Sequence, residues 1–241
     1  MVQAFIFDLD GTIINTEKLK AQSYGYALDE LTKGKISFQQ VQNVFFKYVG
    51  SSRKTVVSNL VEDYYEPLKS ATGETDRQKL STRVLQKRLK TYNRMIIDPL
   101  VIRQNIFMDV FETIYKLFNA GKLLALATMS EKYHSHKILQ VTHLSELFDV
   151  VLTSNDVTRG KPDPEIYLKA AQKLNTDPAH CLVFEDSANG IEAALHAGMQ
   201  VLGIPNELTL KQVIESDLLP EDHLITHHQG LWNRVSKLAN L

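Results

Sequence analysis

The sequence predicts an α/β fold, a doubly wound parallel sheet with a helical bundle inserted after its first strand. Three observations carry this expectation. Short apolar runs of the kind buried on both faces of a sheet recur along the chain. Amphipathic helical patterns alternate with those runs, as parallel strands joined by helical crossovers require. One long stretch, residues 16–102, is helical almost throughout and has no strand-like run.

The first strand is expected at Ala4 to Phe7, four apolar residues that lead into Asp8, Asp10 and Gly11. In the insert, Ser37-Phe38-Gln39-Gln40 fits a capping box, Val41, Val44, Phe45 and Tyr48 fall on one helical face, and Gly50 is a stop. A second stripe comprises Leu80, Val84, Leu85, Leu89 and Tyr92. Both stripes read as helix packing within a small bundle. Further strands are expected at Leu123 to Ala127, Val150 to Leu152, Cys181 to Phe184 and Val201 to Ile204, with a weak one at His223 to Thr226. Asp163-Pro164-Glu165 opens a helix with a cap and a first-turn proline, and Gly198 closes another after "GIEAALHA". The resulting organisation is a core built from residues 1–15 and 103–241 and a helical cap over residues 16–102.

Bulk properties restrict the function classes. The chain has 241 residues, enough for one large domain or a domain with a smaller insert. Its 27 basic and 28 acidic side chains leave a formal net charge of −1, which offers no global field for nucleic acid or an anionic bilayer. Cys181 is the one cysteine, so no intramolecular disulfide forms. It reads as a small buried apolar residue. With no apolar leader before the first strand and no run of the ~20 apolar residues that span a bilayer, the expectation is a cytoplasmic protein. It is expected to act as a monomer on a small metabolite, with neither nucleic acid nor membrane as a partner. The pairs His134/His136 and His227/His228 lack the carboxylate or cysteine neighbours of a transition-metal site and read as surface or helix-end residues.

The acids at the strand ends bear on chemistry. Asp10-Gly11 alone is a common turn dipeptide, and a calcium loop is rejected because Gly11 directly follows the second acid. A second apolar run, however, also ends on acids: Glu185 and Asp186 follow Cys181 to Phe184, and Ser187 can cap the next helix. If both strands are central and parallel, four carboxylates share one crevice. Like charges ~4 Å apart repel by roughly 4 kcal/mol per pair at an effective dielectric of 20. A cation is therefore required, and hard oxygen donors favour Mg²⁺ shared with a phosphate. Thr128, ending "LLALAT", and Lys161, in "TRGKPDPEIY", add polar groups suited to an anionic substrate.

The ordered set "DLDGT", "LALAT", "GKPDPEIY" and "VFEDSANGIEAALHAGM" resembles the four motifs of the haloacid dehalogenase superfamily, in its β-phosphoglucomutase/phosphatase-like branch. The resemblance implies that Asp8 is the nucleophile and Asp10 the general acid and base. It also implies Thr128 and Lys161 as phosphate binders and Asp8, Asp10, Glu185 and Asp186 as the magnesium site; Gly11 lets the backbone pass close to the phosphate, which its N–H and that of Thr12 are expected to help hold. The second aspartate of the first motif argues for phosphate esters rather than haloacids or phosphonates. In the cap, "VGSSRKTV" is similar to a segment that grips a distal phosphate, with Arg53 the aligned residue, and "TEKLK" places Lys20 where those relatives carry a histidine. The cap-to-core return reads "RQNIFMD" instead of the usual proline-glycine turn. The implied activity is a Mg²⁺-dependent phosphatase of small phosphate monoesters working through an aspartyl-phosphate. The alternatives are a phosphomutase and a non-catalytic module that binds a phosphorylated metabolite.

Overall fold

The computed structural model describes residues 2–48, 52–226 and 230–239, so the expected stop at Gly50 and the pair His227/His228 lie outside the described residues. The chain divides into two compact units, one made of Met1–Asn15 and Ile102–Leu241, the other of Thr16–Val101.

In the first unit, five parallel strands, β1 (Ala4–Phe7), β2 (Leu123–Ala127), β3 (Val150–Leu152), β4 (Cys181–Glu185) and β5 (Gln200–Gly203), lie in the order β3-β2-β1-β4-β5. β1, the first strand made, is therefore central, flanked by β2 and β4. Phe7 pairs with both Leu126 and Phe184. This register brings Asp8 level with Glu185 and leaves Thr128 just beyond Ala127 on the other side. All four residues of β1 and all five of β4 are buried, which fits runs with no polar side chain before the terminal acid. One face of the sheet packs Ala4, Ile6, Val183, Tyr167 and Ile191 into a common core. The rings of Phe7 and Phe184 stack with centroids 4.2 Å apart and planes 4° from parallel, and Phe148 packs edge-on against Phe7.

Among the described residues, twelve α-helices complete the fold. The Thr16–Val101 unit is a bundle of α1 (Thr16–Thr32), α2 (Phe38–Phe45), α3 (Arg53–Asp63), α4 (Tyr65–Thr72) and α5 (Arg77–Met95), with α6 (Pro99–Arg103) at the unit boundary. The Ser37 capping box forms, since Ser37 N–H donates to Gln40 Oε1 at 2.9 Å and Gln40 N–H to Ser37 Oγ at 3.4 Å. Val41, Phe45, Leu80 and Val84 share the bundle core, with Val44, Tyr48 and Leu85 packed at its edge.

Helices α7 (Met108–Asn119), α8 (Lys132–Val141), α9 (Glu165–Lys173), α10 (Ala188–His196), α11 (Leu210–Ser216) and α12 (Leu231–Ala239) belong to the sheet unit. Asp163 Oδ1 accepts the Glu165 amide at 3.0 Å at the start of α9, Ser187 Oγ caps α10, and Gly198 follows α10 at φ +75°.

Two expectations are corrected. The weak strand over residues 223–226 contracts to a single bridge between Gly203 and Leu224. Glu221–His223 coil into a 3₁₀ turn instead, with the His223 amide bonded back to the Pro220 carbonyl, so main-chain pairing with β5 comes from the residues just after the turn, while the His223 ring meets the Val201 carbonyl at 2.9 Å. His134 stands in the first turn of α8, a helix end as expected, but is buried and not on the surface, whereas His136 on the same helix is exposed. Among the described residues no helix is long and apolar enough to cross a membrane.

Because the Phe7 and Phe184 stack lies directly behind the strand ends that carry the acids, Phe184→Ala is expected to cost about 3–5 kcal/mol of stability. Urea denaturation of the variant measures this, and a loss below 1 kcal/mol would show that the stack bears little of the core.

Candidate active site

The carboxyl ends of β1 and β4 converge in a buried acidic cluster. Ligand oxygens of Asp8, Glu185 and Asp186 all lie within 4.8 Å of one another, and all three side chains are buried. One cation is built in among them. Lys161 Nζ donates to Asp8 Oδ1 at 2.7 Å, to the Ala127 carbonyl at 3.1 Å and to Glu185 Oε1. Three carboxylates against one ammonium leave excess negative charge in a region of low dielectric. Burial first, and then Glu185 and Asp10, push the Asp8 carboxyl up to about 8 against the pull of Lys161. Burial, with Glu185 and Asp8 behind it, raises Asp186 as well. Burial acts to lower Lys161, but Asp8 and Glu185 outweigh it and hold the ammonium well above its usual range.

Two glycines make this density of acids possible. Gly11 sits at φ +87°, and a Cβ there would collide with the Asp186 carboxyl; a Cβ at Gly190 would collide with the Glu185 carboxyl. The turn after β1 closes through Gly11 N–H to the Ile14 carbonyl at 2.8 Å and through the Ile13 and Ile14 amides to the Leu9 carbonyl. Gly11 therefore serves this turn by its conformation and its missing side chain, while its amide is already committed. Thr12 is fully buried, and its hydroxyl has no hydrogen-bond partner among the described residues.

Glu185 accepts hydrogen bonds on both oxygens. Besides Lys161, Oε1 takes the Tyr167 hydroxyl at 2.7 Å; Oε2 takes the Asp186 amide at 3.1 Å, the Ser187 amide at 3.2 Å and the Ser187 hydroxyl at 3.1 Å. Asp186 Oδ2 is oriented by Asn206 Nδ2 at 2.8 Å, and that same amide group donates to the Gly11 carbonyl at 3.2 Å. At the end of β2, the hydroxyls of Thr128 and Ser130 donate to Asp10 Oδ2 at 3.0 and 2.6 Å. The donor set fits a hard divalent cation, since it is all oxygen, negatively charged beyond what Lys161 balances, and held rigidly.

The helical unit has a cavity of its own. About 260 Å³ is lined by Glu17, Lys20, Tyr24, Phe45, Tyr48, Arg53, Val56 and Arg88. Lys20 Nζ pairs with Glu17 Oε1 at 2.6 Å. Arg88 is only 4% exposed, its guanidinium lies 5.1 Å from the Tyr24 ring centroid and 4.5 Å from that of Tyr92, and its Nε meets no acceptor among the described residues. Three cationic side chains thus line this cavity beside one carboxylate, the inverse of the sheet unit's imbalance.

A family model described as haloacid dehalogenase-like hydrolase matches residues 5–204. The chain belongs to this family. A phosphatase of phosphorylated carbohydrates from Thermotoga maritima is 26% identical over 208 residues, 86% of this chain and 87% of that protein. Among solved structures, a haloacid dehalogenase family hydrolase of Deinococcus radiodurans with bound phosphate and sodium has a TM-score of 0.74 at 24% identity, covering 100% of this chain and 97% of the other. A β-phosphoglucomutase of Clostridium difficile has a TM-score of 0.67 at 22% identity, covering 100% and 98%. The likeness to both structures is one of fold. The chain is an enzyme of this hydrolase family, relatives of which are named as phosphatases.

Within the sheet unit, Asp8, Lys161, Glu185 and Asp186 form one cluster, Asp10 acts on Asp8 electrostatically and accepts the Thr128 hydroxyl, and Gly11 and Thr12 lie in the turn after β1. Lys20 and Arg53 share the cavity of the helical unit. Residues with direct contacts to these groups that escaped the sequence reading include Tyr167, Asn206 and Ser130, and Arg88 lines the same cavity as Lys20 and Arg53. Tyr167 lies inside the "GKPDPEIY" segment, where a helix face accounts for it as well as a site does. Asn206 follows β5 in "GIPN", one more polar end to an apolar run, and that position was its available signal.

The raised Asp8 group fixes the sign of a pH effect in metal-free protein. Folded Asp8 retains a proton that the unfolded chain releases near the usual 3.8, so stability is greatest at low pH on this account and falls as pH rises toward about 8. Asp8→Asn is expected to remove that slope and to stabilise the metal-free protein at pH 8 by at least about 1 kcal/mol. Thermal melts of both proteins from pH 5 to 8.5 with chelator present give the comparison; parallel curves would contradict the assignment.

Proposed function

We propose that the protein is a phosphatase of small phosphate monoesters, and the single observation that carries this reading is the buried Asp8, Lys161, Glu185 and Asp186 cluster at the ends of adjacent strands. Asp8 is the nucleophile. Lys161, donating to Asp8, holds that carboxylate in place and supplies positive charge for the incoming phosphoryl oxygens. Attack forms an Asp8–phosphorus bond as the bond from phosphorus to the alcohol breaks, and Asp10 protonates the departing oxygen. Asp10, then ionised, takes a proton from the water that cleaves the aspartyl-phosphate. Thr12 and Thr128 offer hydroxyl donors to the phosphoryl group.

Asp8 and Asp186, with Asp10 and Glu185 beside them, would hold Mg²⁺. Bound there, the ion supplies charge neutralisation of the phosphoryl oxygens. Because both Glu185 oxygens already accept several donors, its part in the proposal is to anchor Lys161 and to contribute charge, while Asp8 and Asp186 are the leading ligands.

Substrate choice is assigned to the helical unit. Lys20 and Arg53, with the buried Arg88, make its cavity selective for an alcohol portion that itself carries an anionic group. A relative named as a phosphorylated-carbohydrate phosphatase supports a sugar phosphate or similar metabolite as the substrate class. The phosphomutase reading shares the first half-reaction. Water is the default acceptor of the phosphoryl group once Asp10 is ionised, which favours hydrolysis.

Asp8→Asn is expected to abolish turnover without loss of fold, and chelation is expected to stop the wild type until Mg²⁺ is restored, with Ca²⁺ a poorer substitute. Phosphate-release assays measure both, and metal-independent turnover would end the metal assignment. On β-glucose 1-phosphate with a trace of the bisphosphate, the expected product is free phosphate; near-stoichiometric glucose 6-phosphate would install the mutase instead. Across a panel of phosphorylated metabolites, Lys20→Ala and Arg53→Ala are expected to change the substrate ranking more than they slow p-nitrophenyl phosphate. Uniform losses would refute the assignment of specificity to these two residues.

A further inference from the structure

Thr128 and Ser130 both spend their hydroxyl protons on the same oxygen, Asp10 Oδ2. A hydroxyl has one proton to donate. Thr128 is fully buried, its Oγ1 already accepts the Ser130 amide at 3.0 Å, and in the proposed function its single proton is also wanted by the phosphoryl group. It cannot serve both acceptors at once. When a phosphoryl oxygen takes the Thr128 proton, Asp10 keeps one of these two donors.

Ser130 is mounted for that task. Its amide is fixed to Thr128 Oγ1, and its carbonyl accepts both the Ser154 amide and the Ser154 hydroxyl at 3.2 Å, which ties the loop after β2 to the end of β3. Its 2.6 Å bond is the shorter of the two on Asp10 Oδ2. We infer that Ser130 is a positioning residue, whose hydroxyl keeps the Asp10 carboxyl aimed at the departing oxygen after Thr128 has turned its proton to the phosphoryl group. The inference rests on the reading of Asp10 as general acid. With Oδ2 held by Ser130, the proton travels on Oδ1. The Asp8–phosphorus bond forms, the bond from phosphorus to the alcohol oxygen breaks, and that oxygen leaves as the alcohol with the Asp10 proton. Asp10 is left as a carboxylate that still accepts from Ser130.

Leaving-group chemistry tests this directly, since an alkyl oxygen needs its proton in the transition state and a p-nitrophenyl oxygen needs it far less. The experiment measures kcat/KM, which reports steps through bond cleavage, for wild type, Ser130→Ala, Ser130→Thr and Asp10→Asn on p-nitrophenyl phosphate and glycerol 2-phosphate. The ratio of the two losses within one variant does not depend on how much of that variant is folded. Ser130→Ala is expected to lose at least about tenfold more on the alkyl ester than on the aryl ester, Ser130→Thr to recover most of that difference, and Asp10→Asn to show the same selectivity more strongly. Equal losses on the two esters in Ser130→Ala, beside an alkyl-selective loss in Asp10→Asn, would overturn the inference. Equal losses in Asp10→Asn would instead overturn Asp10 as the general acid, and the inference with it.

Discussion

Three buried carboxyl groups, Asp8, Glu185 and Asp186, share the ends of two neighbouring strands with a single ammonium, Lys161. Fully ionised, such groups would repel by several kcal/mol per pair even at an effective dielectric of 20; raised proton affinity at Asp8 and Asp186 relieves part of that, and the surrounding fold holds the groups together. The parallel register of β1 with β4 fixes the spacing between Asp8 and Glu185 through main-chain hydrogen bonds that no side-chain movement relaxes. The stacked Phe7 and Phe184 rings fill the layer behind it. Gly11 and Gly190 stand where any Cβ would push the acids apart.

The polar groups around the cluster divide into those that balance charge and those that orient. Lys161 balances; it reaches Asp8, Glu185 and the Ala127 carbonyl from the segment before α9. Tyr167, one helical step into α9, both donates to Glu185 and lies beneath the Lys161 ammonium, 4.9 Å from ring centroid to Nζ. Asn206 orients Asp186 and ties it to the turn that carries Gly11. Each is a buried donor whose partner is a carboxylate, the class of hydrogen bond that is strongest and costliest to leave incomplete.

The helical unit meets the opposite electrostatic condition. Its interior is an ordinary apolar bundle, yet α5 delivers Arg88 into it between Tyr24 and Tyr92, where burial lowers the guanidinium's proton affinity and the ring faces stand in for a carboxylate. With Lys20 and Arg53 on the same cavity, this unit gathers positive charge where the sheet unit gathers negative.

The sequence by itself determined the strands, the helical insert and the acids, because these depend on local rules. Apolar runs without polar residues have to be buried on both faces, and a run that stops at Asp8 or Glu185 stops where the strand leaves the sheet. The helix start at Ser37, the glycine stop at Gly198 and the cap at Ser187 are likewise written in neighbouring residues. What only the tertiary structure decided is which polar groups face one another across the chain. Ser130 meets an aspartate 120 positions away, Lys161 one 153 positions away, and Asn206 a carbonyl 195 positions away. The single bridge at Leu224 and the burial of His134 and Arg88 belong with these, since no periodicity records what packs on the far side of a helix or how far a 3₁₀ turn shortens a strand. Local pattern fixes where a side chain leaves the backbone, and strand order and register, set by long-range pairing, fix what it meets.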